Sequence, residues 1–419
     1  MRIILLSQYY FPEQGSKTPL LARDLAAFGH QVTVITGFPN YPLGLIYPGY
    51  RQRWRQWEQD GDVRVLRLPL YPDHSRSSLR RGLNYLSFAV TASLFGPALC
   101  GPADVIWVYH PPLTVGIPAW LIGLLRQIPM VYEIQDMWPE TVISTGMLPE
   151  GRATSLLGQF ARFIYARATA ITVSSPGFKQ NLITKGVPSE KIQVIPNWAD
   201  EELYRPMSRD EVLAAEYGMA GRFNVVYGGN IGAAQALGNL LDAAELLRDR
   251  PQIQFVLIGD GVEEKDLRCQ AAERHLDNVR FIGYQPAERM PHFFALADVL
   301  LTHLKRDPLF AITIPSKTLA YLACERPILA AVEGDTADVV RAAGAGMVCR
   351  PEAPEDLARA VRTLAALPEE ARERMGQAGR QAFLQHYTRT VLVEQYEALF
   401  TKVVQRAGTQ LTTVPRGQA

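Results

Sequence analysis

The segment Ile314 to Pro327, IPSKTLAYLACERP, sets a proline, a serine and a lysine before an apolar run that carries no charge between Lys317 and Glu325. Ser316 stands where a helix N-cap is expected. A helix start that offers free backbone N–H groups, a hydroxyl and an ammonium suits an anion. Three glycine-rich strand ends offer related chemistry: FPEQGSKTP with Gly15 and Ser16, YGGNIG with Gly228, Gly229 and Asn230, and IGDG with Gly259 and Gly261. Glycine lets backbone approach a ligand closely. Each turn alone reads as a tight connection, but together with Ser316 and Lys317 they favour a phosphate site. None is a GxGxxG followed by an acid about twenty residues on, which argues against a dinucleotide fingerprint.

Two further places interrupt apolar surroundings with polar side chains. His110 ends VIWVYH, and EIQDMWPE holds Glu133, Gln135, Asp136, Trp138 and Glu140. At the end of a strand His110 is either a satisfied structural residue or a group at a cleft rim. Asp136 and Glu140 are spaced to share one side of a short turn, with Trp138 between them able to stack on a sugar ring. The plain alternative is a capping carboxylate and a core tryptophan.

The elements that must position these groups read as repeated strand and helix. Apolar strands are expected at 2–8, 32–37, 63–69, 105–110, 130–135, 170–175 and 192–197, and again at 224–230, 253–261, 279–285, 298–304 and 327–333. Near-continuous apolar strands alternating with helical patterns indicate α/β architecture with parallel sheets covered on both faces. A helix is expected from about Gln235, and a charged break at 201–222 reads as a linker. The chain therefore divides into an N-terminal doubly wound domain, 1–200, and a second one, 223–385, followed by a C-terminal helix at 386–405 that returns to the first domain and a frayed tail at 406–419. Two such domains facing one another leave a cleft at the carboxyl ends of their strands.

Composition agrees with an α/β protein of two domains: 419 residues exceed one ordinary core. Lys+Arg 43 against Asp+Glu 42 leaves no dominant nucleic-acid footprint. Cys100, Cys269, Cys324 and Cys349 lie far apart without metal-ligand spacing, which fits a reducing cytoplasm and no metal site. MRIILLSQYYFP reads as a first buried strand rather than a secretory signal. The run from Gly82 to Gly101 is uncharged and close to the roughly 20 residues of a membrane span. Pro97 and the glycines make a buried helix the stronger reading. Arg51, Arg53, Arg55, Arg64, Arg67, Arg76, Arg80 and Arg81, with Trp54 and Trp57 among them, form either a solvated face or a contact with an anionic membrane.

These residues, in order, resemble glycosyltransferase family 4, in its bacterial surface-polysaccharide branch: LARDLAAFGHQVTVIT, IPNWADEELYRP, YGGNIGAAQALGNLLDAA, LIGDGVEEKDL, FIGYQPAERMPHFFALADVLL and IPSKTLAYLACERPILA. The resemblance covers essentially the whole chain. It implies a GT-B fold, a nucleotide-diphosphate sugar donor (UDP or GDP) on the second domain and an acceptor on the first. It also implies retention at the anomeric carbon, with neither metal nor other cofactor. Carried onto this chain, it assigns Lys317 to the donor phosphates, with Gly15, Ser16, Gly228, Gly229, Asn230, Gly259, Gly261, Tyr284 and Ser316 around the donor. His110 and Asp136 join Lys317 as catalytic candidates, and Trp138 and Glu140 hold acceptor. The branch implies a polyprenyl-diphosphate-linked saccharide acceptor and a peripheral place on the cytoplasmic face of the inner membrane. The sugar transferred would be one such as fucose or N-acetylfucosamine. The chain also departs from the family: Ile312 and Ala320 stand where many members have glutamates, Asn230 and Gln235 where many have arginine and lysine, and Gln135 where a histidine is usual. A nucleotide-sugar 2-epimerase on the same fold and a non-catalytic sugar-nucleotide binding protein are the rival readings.

Overall fold

The computed structural model describes residues 1–13, 17–75, 77–144 and 149–412. The chain forms two compact units, the first comprising Met1–Ser174, Phe178–Ile195 and the chain from Val393 onward, the second Ser175–Gly177 and Pro196–Leu392.

The first unit contains, in order, β1 (Arg2–Leu6), α1 (Thr18–Ala27), β2 (Gln31–Gly37), β3 (Gln56–Asp60), β4 (Val63–Leu68), α2 (Ser78–Leu99), β5 (Val105–His110), α3 (Gly116–Arg126), β6 (Met130–Ile134), α4 (Glu140–Ser144), α5 (Arg152–Arg167), β7 (Ala170–Val173), α6 (Pro176–Thr184) and β8 (Ile192–Val194). Its sheet runs β3-β4-β2-β1-β5-β6-β7-β8. All pairings are parallel except β3 with β4. Strands β5, β6 and β7 are buried along their whole length, because helices cover both faces and leave no polar side to a pleat. β3 is the antiparallel exception. Its residues QWEQD alternate between exposed and half-buried on the sheet edge, so they lack the continuous apolar run that marks the other strands.

The uncharged run from Gly82 forms most of α2, which is capped by Ser77, whose hydroxyl accepts from the Arg80 N–H. One side of the helix is packed through Asn84, Phe88, Ala89, Ala92 and Gly96. Burying Phe88 alone contributes about 2 kcal/mol. Asn84 accepts from Gln8 at 2.6 Å and donates to the Asn40 side chain at 3.1 Å and the Tyr71 carbonyl at 2.7 Å. Among the described residues no helix is long and apolar enough to cross a membrane. Arg67 leaves the expected basic face: it is buried, bonded to Glu58 at 2.8 Å and to the carbonyl of Gly37 at 3.1 Å. Arg67 is an inward residue of β4, which is buried except at Arg64, and such a charge persists only when paired. Arg76 lies outside the described residues.

The second unit continues with α7 (Glu211–Glu216), β9 (Phe223–Gly228), α8 (Gly238–Glu245), β10 (Ile253–Ile258), α9 (Glu264–Glu273), β11 (Val279–Gly283), α10 (Met290–Ala295), β12 (Val299–His303), α11 (Pro308–Ala311), α12 (Ser316–Ala323), β13 (Ile328–Ala331), α13 (Asp335–Ala342), β14 (Gly346–Cys349), α14 (Pro354–Ala366), α15 (Glu369–His386) and α16 (Arg389–Thr412), which passes back into the first unit at Val393. The sheet is wholly parallel, in the order β11-β10-β9-β12-β13-β14. The segment 201–222 is folded rather than a free linker: it holds α7, and Ala214 and Met219 belong to the core of this unit. Residues 406–412 continue α16 instead of fraying.

In each sheet the chain winds outward from one central strand and returns on its other side. The strand order therefore reverses between β1 and β5 in the first unit and between β9 and β12 in the second. Loops leaving the carboxyl ends of strands diverge at such a reversal and open a crevice for ligand. β5 ends in His110 and β12 in His303, so each reversal carries a histidine at the same place.

Candidate functional site

In the second unit the candidate site is built from the turn after β9. Gly228 is clamped by α12: its N–H donates to the Tyr321 hydroxyl at 2.9 Å, and that hydroxyl lies 3.2 Å from the Gly228 carbonyl. A Cβ on Gly228 would meet the Phe294 ring at 2.7 Å, so only glycine permits the fit. Gly229 has φ of +128°, a conformation that L side chains rarely adopt, and its N–H continues the ladder to the Ile258 carbonyl at 2.8 Å. The turn after β10 interlocks with it. Gly259 has φ of +142°, and a Cβ there would collide with the Gly229 carbonyl oxygen; one on Gly261 would collide with that of Ile231. The two glycine turns are thus one backbone platform.

Lys317 lies on that platform. Its Nζ donates to the Tyr227 hydroxyl and sits 3.7 Å from the centre of the Tyr227 ring. A Cβ on Gly229 would approach the same nitrogen to 3.1 Å. Tyr227 is fully buried, and its hydroxyl donates onward to the Asn230 carbonyl at 2.6 Å. Burial pulls the Lys317 ammonium down to about 7, with no carboxylate among the described residues offsetting the lost hydration.

The start of α12 differs from expectation by one residue. Pro315, with ψ of 138°, is the extended cap position, so Ser316 is already the first helical residue and its hydroxyl caps nothing. Proline cannot accept through its side chain, and the first-turn N–H groups receive no side-chain cap. Ser316 is exposed beside Lys317. The helix expected from Gln235 begins instead at Gly238, after a tight turn over Ala233–Gln235. Gln235 is used differently: its side-chain oxygen accepts from Gly232 N–H and from the Asn230 amide, both at 3.2 Å.

The reversal between β9 and β12 is closed by His303, whose Nδ1 donates to the Gln235 carbonyl at 2.7 Å. That bond fixes the tautomer, leaving Nε2 as a lone pair with no hydrogen-bond partner among the described residues. Burial holds His303 below its ordinary range. Tyr284, two-thirds exposed, follows Gly283, whose carbonyl accepts from Gly259 N–H at 2.9 Å. Lys317, Gly228, Gly229, Asn230, Gly259, Gly261, Ser316 and Tyr284 therefore occupy adjoining strand ends and one helix start. Gly15 and Ser16 lie outside the described residues.

In the first unit, His110 is fully buried, both ring nitrogens lack a hydrogen-bond partner among the described residues, and burial pulls it down to about 3. It is neutral at neutral pH. Its ring stands edge-on to Trp138 at 5.6 Å. Burial raises Asp136. Trp138 and Glu140 line a cavity of about 260 Å³ with Arg162, Tyr165 and Lys185, and Glu140 is paired to Lys185 at 2.6 Å.

Sequence reasoning missed a second buried constellation. Lys17, one residue before α1, forms an ion pair with Glu133 of β6. Glu133 also accepts from Thr172, from Gln135 at 2.5 Å and from Tyr396 of α16 at 2.8 Å, while Lys17 donates to the Tyr396 hydroxyl at 2.7 Å. A glutamate inside the buried strand MVYEI demands such a partner. Tyr227, Tyr321 and His303 were missed too, since aromatic residues in a strand or helix and a histidine at a strand end look like core.

The glycosyl transferase 4-like domain family matches residues 15–198, and the glycosyl transferases group 1 family matches residues 217–382. WcaI of Escherichia coli (strain K12), named as a colanic acid biosynthesis glycosyl transferase, is 30% identical over 334 residues, 77% of this chain and 81% of its own. WbjE of Pseudomonas aeruginosa, named as a glycosyltransferase, is 26% identical over 63% of this chain and 66% of its own. Among solved structures, HepE of Anabaena in complex with UDP superposes with a TM-score of 0.72 at 18% identity, covering 96% of this chain and 100% of that one. Sucrose-phosphate synthase from Thermosynechococcus elongatus superposes with a TM-score of 0.73 at 18% identity, covering 97% and 99%.

Proposed function

This chain belongs to glycosyltransferase family 4 with a GT-B fold, and from that premise we propose that it moves a sugar from a nucleotide diphosphate to a lipid-linked saccharide during surface-polysaccharide synthesis, with retention at the anomeric carbon. The observation that carries the proposal is Lys317, resting on the glycine platform beside the uncapped start of α12. An ammonium, first-turn N–H groups and glycine backbone form a site for a diphosphate.

In the proposed reaction the acceptor hydroxyl oxygen bonds to the anomeric carbon as the bond from that carbon to the diphosphate breaks. The bonding pair leaves with the diphosphate, whose oxygen takes the hydroxyl proton on the same face of the sugar. Such a route needs stabilisation of the departing charge more than a strong base. A lysine hydrogen bond to that anion contributes about 1.5 to 3 kcal/mol, and the helix terminus up to about 2 kcal/mol. With the diphosphate neutralised this way, the proposed reaction needs neither metal nor other cofactor, and turnover should persist in chelator. Within the first unit, Asp136 and neutral His110 are the groups to orient the acceptor hydroxyl, with Trp138 and Glu140 against its sugar.

The relative named for colanic acid biosynthesis and the HepE complex with UDP support this reading. A polyprenyl-diphosphate-linked acceptor would place the protein on the cytoplasmic face of the inner membrane, and a deoxy or N-acetylamino-deoxy sugar such as N-acetylfucosamine is the proposed cargo. The test is transfer from a panel of UDP- and GDP-sugars to lipid-linked saccharide, with Lys317→Ala alongside. Turnover should fall at least a hundredfold in the variant while the far-ultraviolet spectrum is unchanged. Near wild-type transfer by that variant would sink the assignment, and conversion of donor sugar without acceptor would point to an epimerase instead.

A further inference from the structure

The packed side of α2 leaves several of its large apolar side chains uncovered. Leu79, Leu83, Leu86, Val90 and Leu94 are each between 47% and 76% exposed. Their intervals of four, three, four and four residues place them on one stripe of the helix, about 22 Å from end to end at 1.5 Å per residue. Scattered exposed leucines are ordinary, but a continuous stripe is not, since a helix packed by one face normally turns charge to water on the other. Between Gly82 and Leu99 this helix has no charge to turn.

Both ends of the stripe are basic. Arg80 is exposed in the first turn of α2. At the other end, the ring of Trp54, itself 56% exposed, lies 5.8 Å from Phe95 of α2. The guanidinium of Arg55 sits 4.2 Å from the centre of the same Trp54 ring. That contact brings the exposed Arg51, Arg53 and Arg55 alongside the carboxyl half of the helix. Neither Arg51–Arg55 nor α2 contains an acidic residue. Tryptophan and arginine bordering an aliphatic stripe suit a boundary between hydrocarbon and phosphate, where the ring and the arginine stem are apolar and the guanidinium meets the headgroup.

We propose that α2 lies in the plane of an anionic lipid surface, with the stripe from Leu79 to Leu94 set among the acyl chains and Arg51, Arg53, Arg55 and Arg80 over the lipid phosphates. A second copy of the chain fits the same stripe poorly. Two α2 helices packed antiparallel would bring Arg80 of one against Arg53 and Arg55 of the other, and packed parallel would bring like ends together, so each arrangement opposes cation to cation. The uncharged run that reads as either core helix or membrane segment is both, one face for each. The inference takes its purpose from the membrane-borne acceptor proposed above but needs no sugar nucleotide for its test, so the two can fail separately.

The test is co-sedimentation of the full chain with vesicles of phosphatidylglycerol and phosphatidylcholine in equal parts, and with phosphatidylcholine alone. The wild type should pellet with the anionic vesicles, more weakly as salt rises. Leu83→Glu/Val90→Glu should lower the partition coefficient at least tenfold, and Arg53→Gln/Arg55→Gln about fivefold per arginine. Val262→Glu, a change at a still more exposed position in the second unit, should leave it unaltered. Partition unchanged in both double variants would overturn the proposal. So would a wild type that ignores anionic vesicles, or one that sediments as a dimer which Leu83→Glu/Val90→Glu converts to monomer.

Discussion

The Tyr227 phenol lies directly beneath the Lys317 ammonium, which sits 3.7 Å from the ring centre and donates to its oxygen, while the phenol hydrogen goes to the Asn230 carbonyl at 2.6 Å. One side chain thereby ties the glycine turn to the start of α12. With burial pulling Lys317 down to about 7, the unliganded protein holds it largely neutral above that pH. A diphosphate binds the ammonium form, so binding above pH 7 must take up a proton. The dissociation constant of UDP or GDP, measured by calorimetry, should be flat below about pH 7 and rise by up to tenfold per pH unit above it. Lys317→Arg, always charged, should flatten the profile. The same shift acts on stability with a definite sign. The unfolded chain, with lysine near 10.5, binds more protons than the folded one, so this group favours folding progressively more as pH rises from about 7 to 10.5.

Tyr227→Phe keeps the ring beneath the ammonium but removes the oxygen that Lys317 donates to and the hydroxyl that serves Asn230. The fold should lose about 1 kcal/mol, the worth of a net hydrogen bond. Turnover should fall by more than that bond alone implies, about tenfold or greater, because a lysine free to swing no longer meets the diphosphate in one place. Denaturation and steady-state rates on the same preparation separate the two effects. A rate loss no larger than the stability loss would argue that Tyr227 is only core.

The parts of this architecture that were legible in the sequence are those set by apolar continuity. β5, β10 and β12 read directly because a strand covered on both faces has no polar alternation to obscure it. β3 did not, being an edge strand with polar residues on both sides, and β14 is four half-buried residues. At the site, glycines and Lys317 were readable because few residue types suit a phosphate cradle. The capping role of Ser316 was misplaced by one residue, since Pro315 already supplies the extended cap conformation. Tyr227 and the pair Lys17–Glu133 were invisible for a different reason: their meaning lies in contacts between residues far apart in sequence, and a single sequence gives the demand for a partner without naming it.

The interlock of the two glycine turns can be tested at Gly259. Alanine there combines an unfavourable backbone conformation, φ of +142°, with a collision against the Gly229 carbonyl. Relief requires the turn after β9 to move away, taking with it the platform on which Lys317 rests. Gly259→Ala should destabilise the protein by about 2 kcal/mol or more, and should weaken nucleotide binding in the fraction that remains folded. Gly238→Ala, where nothing stands within 4 Å and the residue is helical, is the matching control and should be neutral or slightly stabilising.

The pair Lys17–Glu133 makes an asymmetric prediction. Glu133 is fully buried and the Lys17 side chain nearly so, and burial lowers Lys17, partly offset by Glu133. Removing one member leaves the other charge in the interior, whereas removing both leaves only polar contacts to Thr172, Gln135 and Tyr396 to rearrange. Lys17→Met should therefore cost about 3 kcal/mol or more in urea denaturation, and Glu133→Gln a similar amount. The double variant should recover much of the loss, giving a coupling energy of at least about 1.5 kcal/mol. Because Tyr396 on α16 bonds to both members, limited proteolysis should cut α16 faster in either single variant than in the double. Additive losses in the cycle would mean that the two charges are held by their other partners and not by each other.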